Sequence, residues 1–134
     1  FSYSAKTSAI NPRKIYGVDT ALITANSLSF TEDTGRLLEN IVYLHLRKNF
    51  EKLFYFREKN ECDFVVFEKN KCKHAMQVCS ELHGENKKRE LDGLLEAMRF
   101  FKLKEGFILT HNQEDELIIE GRKIHLIPVF KYIQ

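Results

Sequence analysis

The sequence predicts an α/β domain, a mixed β-sheet flanked by helices, on three observations. Leu91, Leu94, Leu95, Met98 and Phe101 recur at i, i+3, i+4, i+7 and i+10, the period of one apolar helix face. "CDFVVFEKNKCKHAMQVCS" at 62–80 reads as two strands around a tight polar turn. "EGFILT" at 105–110 is almost wholly apolar, as in a strand covered on both faces.

Taken in order, residues 1–12 are small and polar and end in Asn-Pro, which reads as a loop. "RKIYGVDTALI" follows as a short strand running into a turn at Asp19-Thr20. "SFTEDTGRLLENIVYLHLRKNF" is the first helix, with Thr31 or Thr34 as its N-cap. Glu32 and Asp33 near its start, and Arg47 and Lys48 near its end, complement the helix dipole. "KLFYFR" is a strand by its aromatic density, and the two strands of 62–80 come next, turning around Lys69, Asn70 and Lys71. The second helix starts near Glu85, and the strand at 105–110 follows it. "ELIIEGRKIHLIPVF" closes the chain as a hairpin turning at Gly121-Arg122, with Pro128 limiting the pairing of its last strand. The expected order is helix, strand, strand, strand, helix, strand, hairpin. Residues 1–30 form a linking segment from a preceding domain, and residues 31–134 form the domain proper.

A chain of 134 residues, 43% apolar and 12% aromatic, is long enough for a real core, which argues against disorder. Charged residues make up 30%, yet the formal net charge is only +2, so a nucleic-acid contact must be a local patch. Three cysteines without a CxxC pair, and no apolar leader or long apolar span, point to a reduced cytoplasmic setting without membrane attachment. The same lack of knuckle spacing argues against zinc on Cys62, Cys72, Cys79 and His74. The opening "FSYSAK", without Met, reads as the edge of a domain taken from a longer protein.

Chemistry enters through polar residues in apolar runs. With a three-residue loop at Lys69–Lys71, Glu68 pairs with Cys72 and Asp63 lies across from Gln77. They share a face with Val65, Phe67 and Ala75; a two-residue loop would send them to opposite faces. Glu39 shares a helical stripe with Val42, Tyr43 and Leu46, so a second carboxylate points inward. Oxygen ligands from Glu39, Asp63 and Gln77 suit Mg²⁺ or Mn²⁺, which can activate water and stabilise charge on a phosphodiester. The plainer alternatives are an ion pair at Asp63, a salt bridge from Glu39 to Arg36 or Arg57, and Gln77 as a sheet amide. The "KKR" run at 87–89 puts positive charge at a helix start, against the dipole.

Helical Glu39, Asp63 in "ECDFVVFEK" and "QVCS" at 77–80, followed by a helix and a strand, resemble the PD-(D/E)XK restriction-endonuclease-like superfamily. More narrowly, "GRLLENIVYLHLRK", "ECDFVV", "QVCSEL", "KKRELDGL" and "EGFILT" look like DUF4143, a C-terminal domain that follows an AAA-type ATPase domain. The resemblance implies a DNA-acting, nuclease-like domain with Glu39, Asp63 and Gln77 as catalytic and Mg²⁺- or Mn²⁺-binding residues. It also implies a partner ATPase domain outside this chain, since no GxxxxGK[ST] loop is present and the chain has no ATP site. Cys79 stands where the superfamily has lysine, and a thiol does not supply the ammonium. Lys87, Lys88 or Arg89 would then bring that charge and contact DNA. The second expectation is an inactive protein-interaction or homo-oligomerisation module, using exposed aromatics such as Phe100.

Overall fold

The computed structural model describes Ser2–Tyr3, Ser8–Ala9 and residues 30–134. Its elements are β1 (Ser2–Tyr3), β2 (Ser8–Ala9), α1 (Phe30–Asn49), β3 (Lys52–Arg57), β4 (Glu61–Glu68), β5 (Lys71–Val78), α2 (Lys87–Phe101), β6 (Glu105–Thr110), β7 (Asp115–Ile119), β8 (Arg122–Pro128) and α3 (Val129–Tyr132). The predicted order from the first helix to the closing hairpin is observed. The residues read as an N-terminal loop contribute two-residue strands, while the strand expected in "RKIYGVDTALI" lies outside the described residues.

The strands form one sheet in the order β2-β1-β3-β4-β5-β6-β8-β7. β3, β4 and β5 pair antiparallel, β6 runs parallel to both β5 and β8, and β7 returns antiparallel at the edge. Alternation along the strands divides the apolar side chains between two layers. Val65, Phe67, Ala75, Ile108 and Ile124 pack with Leu94 and Met98 of α2. Phe64, Val66, Met76 and Leu109 pack with Leu38, Val42 and Leu46 of α1. Each such side chain contributes about 1.5–3 kcal/mol when fully buried, so the two helices hold opposite faces of the sheet.

The β4–β5 register departs from expectation at its turn. Its turn has two residues, Lys69 and Asn70, with φ of 51° and 62°. Two successive positive φ values define the turn type that matches strand twist in tight hairpins. Glu68 therefore faces Lys71, not Cys72, and Phe67 faces Cys72. Beyond it the register shifts: Val66 faces His74 and Phe64 faces Met76. This β-bulge places one extra residue on β5 and restores the parity that a three-residue loop would have given. The ladder ends at the Phe64–Met76 pair, and just beyond it Asp63 and Gln77 meet through a main-chain to side-chain bond.

Other boundaries move slightly. α1 begins at Phe30, so positions 31 and 34 both lie inside it rather than ahead of its first residue. The β7–β8 turn is Glu120-Gly121, with φ of 54° and 75°, one residue earlier than expected. β8 ends at Pro128, which opens the short α3 that the strand reading of "IPVF" missed. No helix among the described residues is long and apolar enough to cross a membrane.

Candidate functional site

Asp63 and Gln77 meet at the end of the β4–β5 pair where β4 starts and β5 finishes. The Asp63 N–H donates to Gln77 Oε1 at 2.8 Å, and the Val78 N–H donates to Asp63 Oδ2 at 2.9 Å. Gln77 Nε2 donates to the carbonyl oxygens of Glu61 at 2.8 Å and Glu90 at 3.0 Å. A side chain only 2% exposed thus ties β4, β5 and α2 together through main-chain groups. The sheet-amide alternative describes how Gln77 is used here. Burial of an amide is tolerated because its donor and acceptor groups are matched.

Asp63 and Gln77 line a cleft of about 290 Å³ together with Arg57, Lys59, Asn60 and Glu61 from the β3–β4 turn, and Arg89 and Glu90 from α2. α2 can approach this closely because residue 93 is glycine. A Cβ there would lie 1.9 Å from the Glu61 carbonyl oxygen and 2.7 Å from Gln77 Nε2.

Glu39 takes a different position. Its helix carries Leu38, Val42 and Leu46 into the layer on the sheet face away from α2. A Cβ at Gly35, one turn earlier, would sit 4.0 Å from the Ser80 N, which puts this part of α1 at the same end of the sheet as Asp63. Glu39 does not line the Asp63 cleft. Of the basic run, only Arg89 does; Lys88 pairs with Asp92, and Lys87 is exposed at the first position of α2. Arg57, proposed as a partner of Glu39, pairs with Glu61 at 3.8 Å.

Cys79, at the position where lysine was expected, is a neutral thiol. Burial pushes it up to about 12, the Glu90 and Asp63 carboxylates add to the rise, and Arg89 opposes it. A group protonated over the whole physiological range neither attacks as thiolate nor offers positive charge to a phosphate. Cys72 is likewise raised to about 12 and Cys62 is raised well above its ordinary value, in both cases by burial first.

Glu90, Arg57 and Lys59 are members of the cleft that sequence reasoning missed. Glu90 precedes Leu94 by four residues and Ala97 by seven, a carboxylate on the edge of the apolar stripe. That spacing was the available signal; it is 9% exposed, with Arg89 Nη2 at 3.3 Å from its Oε1. Nothing local marks Arg57 and Lys59, because only the packing of their turn on α2 brings them here.

No three His, Cys, Asp or Glu side chains gather into a metal-binding group among the described residues. Asp63, Glu61 and Glu90 line the same cleft without converging as a three-carboxylate group; Mg²⁺ and Mn²⁺ also bind through one or two carboxylates completed by water. The fit to such an ion is limited to the pair Asp63 and Glu90, which both bear on the Cys79 thiol, and leaves out Gln77, whose amide is engaged with main chain.

A mixed sheet with α1 and α2 on its two faces and a polar cleft at the start of β4 defines a mixed α/β domain of restriction-endonuclease-like arrangement. Residues 34–132 match the "Domain of unknown function (DUF4143)", and the chain belongs to that family. It is similar to "Uncharacterized protein MJ1544" of Methanocaldococcus jannaschii, at 39% identity over 139 residues covering 98% of this chain. The chain spans 31% of the length of that relative. No solved structure matches it.

Proposed function

We propose that this chain is a PD-(D/E)XK nuclease-like, DNA-binding domain of a cytoplasmic AAA-type ATPase, with a phosphodiester-binding cleft at Asp63 and hydrolysis curtailed at Cys79. One observation carries the reading: the same cleft holds carboxylates at Asp63 and Glu90 and an exposed guanidinium at Arg89. Arg89 meets a phosphate through a planar, permanently charged fork. The Val78 N–H orients Asp63, and Gln77 holds the strand beneath it. Asp63 and Glu90 are the residues that would hold Mg²⁺ or Mn²⁺, which when bound offsets their repulsion of a phosphate and polarises its oxygens. Cys79 adds no charge to the attacking or leaving oxygen, so binding is retained better than turnover.

The test is nicking of supercoiled plasmid with Mg²⁺ or Mn²⁺ by the wild type, Asp63→Ala and Cys79→Lys, beside binding to a labelled duplex. We expect wild-type binding with slow nicking, faster nicking by Cys79→Lys, and none by Asp63→Ala. Absence of DNA binding at low salt would overturn the proposal.

A second reading, a protein-interaction or homo-oligomerisation module, draws on Ile118 at 71%, Phe130 at 55% and Phe100 at 40% exposure. Sedimentation of the wild type across a concentration series tests self-association.

A further inference from the structure

The β3–β4 turn is tied to α2 by one carboxylate. Glu96 Oε1 accepts the consecutive main-chain N–H groups of Lys59 at 2.9 Å and Asn60 at 3.1 Å, and Oε2 accepts Asn60 Nδ2 at 2.9 Å. Glu58 N adds a bond to the Asn60 carbonyl at 3.1 Å inside the same turn. Successive N–H groups converging on an anion make a small, directional cradle. On α2, Arg89, Gly93 and Glu96 fall at i, i+4 and i+7, so they share one face. That face does three things in sequence: Arg89 lines the cleft, Gly93 admits the Glu61 carbonyl, and Glu96 grips the turn.

Arg57 and Lys59 are carried by this clamped turn and line the same cleft as Arg89. Arg57 and Arg89 do hold carboxylates, Glu61 at 3.8 Å and Glu90 at 3.3 Å. Those pairs leave the side chains of Arg57 and Arg89 55% and 76% exposed, and exposed ion pairs exchange readily for stronger partners. A phosphate oxygen, which accepts two parallel N–H bonds from a guanidinium, is such a partner.

We infer that Arg57 and Lys59 form a second cationic wall of the cleft, gripping the phosphodiester backbone of DNA together with Arg89, and that Glu96 is the positioning residue that holds this wall in place. The inference rests on the reading of the Asp63 cleft as a DNA site. It assigns recognition to the backbone rather than to bases, so affinity is salt-dependent and largely independent of sequence.

Fluorescence anisotropy with a labelled duplex, at several salt concentrations, tests it. The double variant Arg57→Ala/Lys59→Ala is compared with Lys71→Ala/Lys73→Ala, an equal loss of charge on exposed residues at the far end of β5. We expect about 10-fold weaker binding from the first, with the log–log salt slope shallower by about 2, and a much smaller change from the second. Glu96→Ala separates positioning from charge: loss of a carboxylate should tighten DNA binding on electrostatics alone, whereas loss of the clamp should weaken it. Glu96→Gln keeps an acceptor for the two N–H groups and should recover most of the affinity. Folding of every variant is checked by circular dichroism. If the wild type binds and the first double variant matches the second, the wall is overturned while the cleft reading stands. Tighter binding by Glu96→Ala overturns the positioning role, and no binding by the wild type overturns both readings.

Discussion

Gln77 Oε1 accepts the main-chain N–H of Asp63 at 2.8 Å while Gln77 Nε2 donates to two carbonyl oxygens, so the residue opposite the candidate carboxylate acts as its brace. Substitution should therefore register as lost stability. Gln77→Leu leaves one N–H and two carbonyls without their partner, and we expect a cost of about 2–4 kcal/mol. Gln77→Glu should cost a comparable amount, because a carboxylate cannot donate to the carbonyls of Glu61 and Glu90. Urea denaturation of both variants checks this. A Gln77→Glu protein as stable as the wild type would show that the brace is unimportant.

Gly93 and Gly106 should respond differently to alanine. At Gly93 the new Cβ meets main chain, 1.9 Å from the Glu61 carbonyl oxygen. Relief requires α2 to move off β4, and we expect Gly93→Ala to cost about 3 kcal/mol or more, with loss of the Gln77 bonds. At Gly106 the nearest atoms are Met98 Sδ at 2.6 Å and Leu94 methyls, ends of side chains that can rotate. Gly106→Ala should cost less, about 1–2 kcal/mol. Thermal or urea unfolding gives the ranking.

The β4–β5 turn is stabilisable. Lys69 and Asn70 both hold positive φ, which Asn and Gly adopt more readily than Lys and Asn in that order. Lys69→Asn/Asn70→Gly should raise stability by about 0.5–1 kcal/mol. Amide exchange of β4 and β5 should slow in parallel. A destabilised double variant would mean that the two-residue turn is not adopted.

His74 should make the fold acid-sensitive. Its ring lies between Phe50 and Phe107, at centroid distances of 5.8 and 5.5 Å. Burial lowers its pKa from 6.5; Glu105 pulls it up and Lys73 pushes it down, less than burial does. The unfolded chain therefore binds a proton more readily than the native one, and stability rises with pH through the interval between the two values. The contribution is complete above about 6.5 and is lost as pH falls toward the native value. Urea midpoints at pH 7.5 and 5.5 should differ less for His74→Phe than for the wild type. Equal differences would remove His74 as the cause.

The bulge at the start of β5 shows where reading the sequence reaches its limit. "EKNKCK" is compatible with a two- or a three-residue loop, and the pairing of Asp63 with Gln77 depends on that choice. Sequence reasoning expected a three-residue loop; the turn has two residues, the shift between Val66 and Phe67 compensates for it, and Asp63 and Gln77 meet past the last ladder pair by a main-chain to side-chain bond. A bulge is selected by how the whole ladder packs under α1 and α2, and the burial of Val65, Val66, Ala75 and Met76 enforces that register.

Helix and strand periodicity were sufficient for the architecture. The apolar stripe of α2, the aromatic run of β3 and the covered strand β6 each state locally which face is buried, and the sheet with helices on both faces follows. The identities of Asp63, Gln77 and Cys79 were legible as polar or unexpected residues in those patterns. Tertiary structure alone decided that Gln77 braces main chain, that Arg89 rather than Lys87 or Lys88 lines the cleft, and that Glu90, Arg57 and Lys59 join it. It also decided that Glu96 holds the β3–β4 turn across a separation of more than thirty residues. The physical reason is range: periodicity reports burial within one element, whereas a cleft is made by the approach of α2 to a turn, set at Gly93 by the absence of a single Cβ.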